Sequence, residues 1–252
     1  MNKSILLLTL FLLFNFSALA QNRFEELTFA FDVLKTKVLP LEPIPFRLTV
    51  KNNTGAPATV DTALSFSTNS VTLEIKKPNG KTVAPTQLSY LLGRSISFPK
   101  ELAPADSIDV NQVFDFKLQT YFGKPGEYQV RATFRNKAGK SIRSGWVPLT
   151  VEEPTGTELS AFEYISKKSQ RDPGGMLFTS WKPEDLEQLI LLHPRSPYAD
   201  YARYGLGLLY ESWQENDKAE GHFRQIQDST FVHTEDVKER LKKLEHKKNS
   251  AN

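Results

Sequence analysis

The apolar side chains of this chain change their spacing once, near residues 152–156. Before that point apolar and polar residues alternate, as in EYQVRATF at residues 127–134. After it they recur every three or four residues, as in Leu186, Leu189 and Ile190. Alternation is typical of half-buried strands, and the longer spacing is typical of amphipathic helices. The chain is therefore predicted to be β-rich first and helical afterwards.

Turn motifs separate the alternating runs between residues 24 and 151. They are Asn52–Gly55, Pro78–Gly80, Lys124–Gly126 and Asn136–Gly139. Because short strands with such turns and no helical run between them are typical of sandwiches, this part is predicted to be an antiparallel β-sandwich. The less regular residues 87–103 predict an edge strand with a long loop. Asn52-Asn53-Thr54 matches the glycosylation sequon, but we interpret it as a turn.

This part of the chain resembles the immunoglobulin-like sandwich of several exported and inhibitor-type bacterial proteins. The resemblance lies in LTVKNNTGAPATV, VTLEIKKPNGKTV, LAPADSIDVNQVFDF and PGEYQVRATF. These are turn and alternation patterns, so the resemblance implies a fold rather than an activity. The paired cysteines of antibody domains are absent, since the chain has no cysteine.

Five helices are predicted after the polar turn at residues 152–156. Their predicted limits are 157–168, 183–192, 198–213, 218–227 and 235–247. Proline and acidic residues open the second of them, and His193-Pro194 closes it, as expected at helix ends. The short connections between helices indicate a stack of helical hairpins.

One hairpin of this stack resembles a tetratricopeptide repeat. The residues at the family's signature positions are Leu206, Gly207, Tyr210, Ala219 and Phe223. Arg203 departs from the pattern, because it stands where the family has its first aromatic residue. The phrase HPRSPYADYARYGLGLLYE, residues 193–211, is similar to repeats of exported envelope-assembly proteins. The small Gly207 and Ala219 would allow two antiparallel helices to approach closely.

Together these patterns predict a multidomain protein of the all-β plus all-α class. An immunoglobulin-like antiparallel β-sandwich at residues 21–152 is followed by a tetratricopeptide-type helical hairpin stack at residues 153–252.

The resemblance to the repeat family implies a partner-binding face on the first helix of the hairpin. Positions between the signature residues face a concave groove that commonly takes a peptide or a partner helix. In this chain those positions are Tyr201, Tyr204, Leu208 and Glu211. A second interpretation is that so few repeats form no groove. The tyrosines would then pack on the sandwich or on a terminal helix.

Residues 1–20 have the pattern of an export signal. Lys3 precedes an apolar run from Ile5 to Phe16, and small residues then allow cleavage between Ala20 and Gln21. The apolar run is shorter than the roughly 20 residues that span a bilayer. We therefore expect a periplasmic or secreted protein with no transmembrane segment in the mature chain.

No pattern of known chemistry occurs in the sequence. The four histidines are His193, His222, His233 and His246, and none belongs to a recognised metal motif. Catalytic elbows, phosphate loops and dinucleotide fingerprints are absent from the sequence. The formal net charge of +3 is only a mild excess of base, which does not suggest nucleic-acid binding. The basic run Lys238–Lys248 is interrupted by Glu239 and Glu245, so we interpret it as a solvated helix face. We therefore predict no catalytic residue, no metal and no cofactor.

These observations predict a non-enzymatic protein–protein interaction module, an adaptor or assembly factor of the bacterial envelope, whose partner is a protein or peptide. One alternative is a secreted protease inhibitor that acts through the β-sandwich, with the loop Leu88–Pro99 entering a protease cleft. A further alternative is an accessory glycan-binding protein.

Overall fold

The computed structural model describes residues 27–61, 64, 66, 70–85, 99–114, 120–135, 139–171, 181–227 and 231–250. The predicted signal peptide and its cleavage site, Ala20 and Gln21, lie outside the described residues. Residues 88–98 of the predicted inhibitor loop also lie outside them.

Eleven strands and five α-helices occur among the described residues. The strands are β1 (Leu27–Val33), β2 (Lys37–Val38), β3 (Pro45–Asn52), β4 (Ala58–Asp61), β5 (Val71–Lys76), β6 (Thr82–Val83), β7 (Pro99–Leu102), β8 (Ser107–Val113), β9 (Gly126–Arg135), β10 (Ser141–Arg143) and β11 (Val147–Val151). The helices are α1 (Gly156–Arg171), α2 (Pro183–Leu192), α3 (Pro197–Ser212), α4 (Asn216–Arg224) and α5 (Thr234–Ser250).

The chain folds as two compact units that interleave along the sequence. The first unit comprises residues up to Leu34, Phe46–Gln112 and Tyr128–Leu149. The second comprises Lys35–Pro45, Val113–Glu127 and Thr150–Asn252.

The first unit is built from antiparallel strand pairs. Strand β3 lies between β1 and β8, and β4 pairs with β7. Another sheet has the order β11–β9–β5–β6, with β10 also paired to β9. Alternation determines which side chains are buried: in β1 the residues from Leu27 to Val33 are buried and exposed in turn. Phe29 packs against Phe134 in the resulting core, with ring centroids 5.8 Å apart.

The asparagine-rich turn after β3 is held by a buried side chain. Asn52 is fully buried, and its Nδ2 donates hydrogen bonds to the carbonyl oxygens of Ala56, at 2.9 Å, and Leu102, at 3.0 Å. Its Oδ1 accepts a hydrogen bond from the backbone N–H of Thr54 at 2.9 Å. An amide with these partners stabilises a turn and is inaccessible for glycosylation, in agreement with the interpretation of the sequon as a turn.

The second unit has a continuous apolar core made mainly by the helices. Its most buried large side chains include Leu189, Tyr198, Leu206 and Phe223. Leu39 and Leu41, from the segment that contains β2, pack against this core. The helices therefore bury part of their apolar surface against residues from the β-rich part of the sequence.

The segment Lys35–Pro45 is attached to α3 by hydrogen bonds from two tyrosines. The Tyr198 hydroxyl donates to the carbonyl oxygen of Pro40 at 2.5 Å, and that of Tyr201 donates to Pro43 at 3.3 Å. Glu42 is 2% exposed and accepts hydrogen bonds from Lys35 Nζ and the Leu39 N–H, at 2.5 and 2.8 Å. Since each buried polar group has a partner, the segment is a defined part of this unit.

The predicted fold class, an all-β immunoglobulin-like sandwich followed by an all-α tetratricopeptide stack, is wrong. The structure is mixed α/β, with strands in several sheets and five helices among the described residues. Strand β2 pairs in parallel with the end of β11, with Lys37 opposite Thr150 and Val38 opposite Val151. Residues 35–45 and 113–127 share a compact unit with the helices, so these helices are not a separate all-α domain.

Candidate functional site

The structure places the two tyrosines of the predicted partner-binding face against other parts of this chain. Tyr201 is 5% exposed, and its ring lies 4.9 Å from that of Phe231. The Tyr204 hydroxyl donates to Asp236 Oδ2 at 2.6 Å. The Tyr204 ring stacks on His233, with centroids 4.3 Å apart.

The other two residues of that face also have partners within the chain. Leu208 is half-buried and packs against the helical core, and Glu211 forms an ion pair with Arg240 of α5. These contacts correspond to the second interpretation made from the sequence, in which the face packs on a terminal helix. A partner-binding role for Tyr201, Tyr204, Leu208 and Glu211 stays a prediction.

The five signature residues lie on α3 and α4 and are assembled around one close approach. Leu206 and Ala219 are fully buried, and Tyr210 is 8% exposed. A Cβ on Gly207 would lie 2.4 Å from Cε1 of Phe223, which is shorter than any van der Waals contact. The absent side chain at Gly207 therefore allows the Phe223 ring to lie directly on the backbone of α3.

The contact between α3 and α5 is a compact electrostatic network. Burial and the hydrogen bond to Asp236 raise the pKa of Tyr204. Burial opposes ionisation of Asp236, but hydrogen bonds from Arg240 and Tyr204 hold its pKa below the usual value. Burial lowers the pKa of His233 to about 4, with a further lowering by the Arg240 charge and an opposing effect of Asp236. The His233 imidazole is therefore neutral at pH 7.

We expect the free energy of unfolding to fall as the pH falls from about 6.5 towards 4. In this range His233 takes up a proton in the unfolded chain but stays neutral in the folded one, so protonation favours unfolding. The contribution of the Asp236 carboxylate to the free energy of unfolding is lost only at lower pH, because its pKa is held below the usual value. The variant His233→Phe keeps a ring on Tyr204 and should show a weaker pH dependence. Urea unfolding at several pH values measures this, and parallel curves for both proteins would contradict it.

A cleft opens between α4 and α5. This open cleft has a volume of about 540 Å³ and is called the α4–α5 cleft. Its lining residues are Phe223, Arg224, Ile226, Gln227, Thr234, Val237, Lys238 and Leu241. Phe223 and Val237 are buried, whereas Ile226 and Leu241 are only half-buried. The cleft therefore has an apolar floor that remains partly accessible to solvent.

The floor of the cleft includes a half-buried position in the apolar stripe of α5. Val237, Leu241 and Leu244 follow one another on one face of α5, as their spacing in the sequence predicts. Helix α4 spans only nine residues, and Leu241 stays half-buried between the buried Val237 and Leu244. The sequence analysis did not identify this site, since a helical stripe is usually buried along its whole length.

The lining of the α4–α5 cleft is half apolar and half polar. It contains aliphatic and aromatic side chains, two cations and two uncharged polar residues, but no histidine or carboxylate that could act as a general base. Within the described ranges, no group of three or more histidine, aspartate or glutamate side chains is arranged to hold a metal ion. No helix in the described part of the chain is long and apolar enough to span a membrane.

Comparisons with known proteins identify no family for this chain. No protein-family model matches it, and no curated protein matches it.

Several solved structures resemble about half of the chain weakly. The DNA glycosylase AlkC of Pseudomonas fluorescens matches with 15% identity and a TM-score of 0.31, over 51% of this chain and 31% of its own. The CARDB domain of PF1109 from Pyrococcus furiosus matches with 13% identity and a TM-score of 0.27, over 50% and 86%. Spo0M of Bacillus subtilis matches with 13% identity and a TM-score of 0.34, over 57% and 56%. The function must therefore be argued from this chain's own residues.

Proposed function

We propose that this protein is an exported, non-enzymatic binding module of the bacterial envelope, and that the α4–α5 cleft receives a segment of a protein partner. The observation that carries the proposal is the half-buried pair Ile226 and Leu241 on the floor of that cleft. The export-signal pattern of residues 1–20 supports the location. The cleft is a second candidate beside the α3 face, whose tyrosines contact other parts of the chain.

The size of the cleft favours a peptide segment as its occupant. A volume of about 540 Å³ lies within the range of about 300–1,000 Å³ that ordinary ligand sites have, and it accommodates a few side chains rather than a domain. An occupant that covers the floor removes apolar surface from water, at a gain of about 25 cal/mol per Å². Apolar grooves on proteins commonly bind an amphipathic helical segment of a partner.

A selection of random peptides displayed on phage tests this proposal on the full chain. We expect enriched peptides whose affinity falls about tenfold in Leu241→Gln and in Ile226→Gln, because each change places an amide on the apolar floor. The matched control is Leu192→Gln on α2, since Leu192 is 51% exposed and does not line the cleft. Binding of the same peptides to this variant should be unchanged.

Two results would contradict the proposed function. One is a selection that enriches no peptide above the level seen with the Leu241→Gln variant as bait. The other is a set of peptides that lose affinity in Leu192→Gln but keep it in Leu241→Gln. Circular dichroism of each variant separates a lost binding site from a lost fold.

A further inference from the structure

Helix α5 supplies four of the eight residues that line the α4–α5 cleft, namely Thr234, Val237, Lys238 and Leu241. The residue directly before this helix is His233. Its carbonyl oxygen accepts a hydrogen bond from the backbone N–H of Val237 at 2.9 Å. This bond belongs to the first turn of α5, so a displacement of His233 moves the turn that carries Thr234 and Val237.

Helix α5 is attached to its unit by few apolar side chains. Only three of its 17 residues are aliphatic, and they are Val237, Leu241 and Leu244. Of these, Leu241 is only half-buried. An element that buries so little apolar surface detaches locally at a smaller cost than a core helix. The polar and ring contacts at the start of α5 therefore contribute much of its attachment to α3.

The His233 imidazole lies within these contacts. Its ring stacks on Tyr204 of α3, with centroids 4.3 Å apart. Two charged groups of α5 act on the ring: Asp236 favours its protonation and Arg240 opposes it. These two groups form an ion pair with each other at 2.7 Å, and Arg240 also pairs with Glu211 of α3. The Asp236 carboxylate is therefore shared among several partners and does not compensate a charge on His233 alone.

A charge on His233 is unfavourable while α5 is attached. Burial lowers the pKa of His233 to about 4, and the dipole of α5 repels a cation at the helix N-terminus. When α5 is detached, the ring is in water, where the pKa of histidine is about 6.5. Between these two values a proton binds the detached form in preference, so acid favours detachment. The two pKa values limit the rise in the detachment equilibrium constant to about 20-fold between pH 7 and 5.

We propose that acid switches off binding in the α4–α5 cleft, because protonation of His233 detaches α5 from α3 and removes the lining residues that α5 contributes. This inference rests on the proposed function, because it names the regulation of the same site. Linkage is reciprocal, so a segment bound in the cleft opposes the protonation of His233.

A peptide from the phage selection that depends on Leu241 is the probe for this inference. It is chosen without aspartate, glutamate or histidine and made with blocked ends, so that only the protein titrates. We expect its affinity for the wild-type chain to fall by at least about threefold, and by at most about 20-fold, between pH 7 and 5. In His233→Phe, which keeps a ring on Tyr204, the fall should be less than about twofold. In an NMR titration, saturating peptide should lower the pKa of His233 in the wild-type chain.

The matched control is His222→Phe, the same substitution at a histidine of α4. His222 is half-buried, stacks on Tyr210 with centroids 5.4 Å apart and does not line the cleft. Burial lowers the pKa of His222 as well. The variant should nevertheless keep the wild-type pH dependence of binding, because His222 does not begin α5.

Three results would overturn this inference and leave the proposed function intact. One is equal affinity at pH 7 and 5, or an equal fall in the wild-type chain and in His233→Phe. Another is a pKa of His233 that the peptide leaves unchanged. The third is a loss of the circular-dichroism signal of all the helices at pH 5, since the change would then not be confined to α5. The absence of any Leu241-dependent peptide would instead contradict the proposed function.

Discussion

The variant Asp200→Ala is expected to lose about 3–5 kcal/mol of unfolding free energy, because it leaves the buried guanidinium of Arg203 without its carboxylate. The two side chains are 5% and 4% exposed, and Arg203 Nη1 donates to Asp200 Oδ1 at 2.6 Å. Asp200 Oδ2 also accepts from the backbone N–H of Gln227 at 3.2 Å. Arg203 Nη2 donates to the carbonyl oxygen of Pro194 at 2.8 Å. The pair thus joins the turn before α3 to the chain that leaves α4.

An exposed ion pair on α5 gives the control for this measurement. Glu239 and Lys243 are 64% and 62% exposed, so Glu239→Ala should change the unfolding free energy by no more than about 0.5 kcal/mol. Urea unfolding followed by circular dichroism measures both variants. If Asp200→Ala loses no more than Glu239→Ala does, the buried pair is not a main support of the helical unit.

The variant Gly207→Val is expected to lose about 3 kcal/mol or more of unfolding free energy, at or beyond the upper end of the usual cost of overpacking. Its Cβ would lie 2.4 Å from Phe223 Cε1 and 2.6 Å from Cδ1, so α3 and α4 must move apart or the ring must move. Urea unfolding of the wild-type chain and of this variant, followed by circular dichroism, measures this loss. The double variant Gly207→Ala/Phe223→Leu should recover part of the stability lost in Gly207→Ala, because the two sites are in contact.

Gly221 provides the matched control, since it is a glycine of the partner helix α4. A Cβ built on Gly221 would have no atom within 4 Å. Gly221→Ala should therefore gain up to about 1 kcal/mol from helix propensity alone. A gain of unfolding free energy in Gly221→Ala together with a loss in Gly207→Ala supports the close approach at Gly207. A gain in both variants would contradict it.

The spacing of apolar residues located the helices but did not show which other residues share a unit with them. The five predicted helices lie within a few residues of α1 to α5, because apolar residues recur every three or four positions in these segments. The segment Lys35–Pro45 has three prolines, and its apolar residues follow no regular spacing. Its contact with α3 joins residues 158 positions apart. The spacing of apolar residues indicates which face of a single helix or strand is buried, but not what that face packs against. It therefore predicted an all-α region where the helices share a compact unit with residues 35–45.

The candidate site was less predictable than the helices. The sequence placed Val237 and Leu241 on one apolar face, and that face lies in the cleft. It does not show that α4 has nine residues or that Leu241 is left half-buried. Conversely, Tyr204 looks like an exposed contact residue in the sequence. Its hydroxyl instead binds Asp236, and its ring stacks on His233, two partners that only the position of α5 reveals.

The central claim, that the α4–α5 cleft holds a partner segment, is tested most directly by site-specific photo-crosslinking in the organism that makes the protein. A photoreactive phenylalanine derivative is placed at Gln227, which lines the cleft, or at Gln225, which is also exposed but does not line it. The account predicts a protein adduct from position 227 that disappears when Leu241→Gln is added, and none from position 225. Equal adducts from both positions, an adduct unaffected by Leu241→Gln, or no adduct would contradict it.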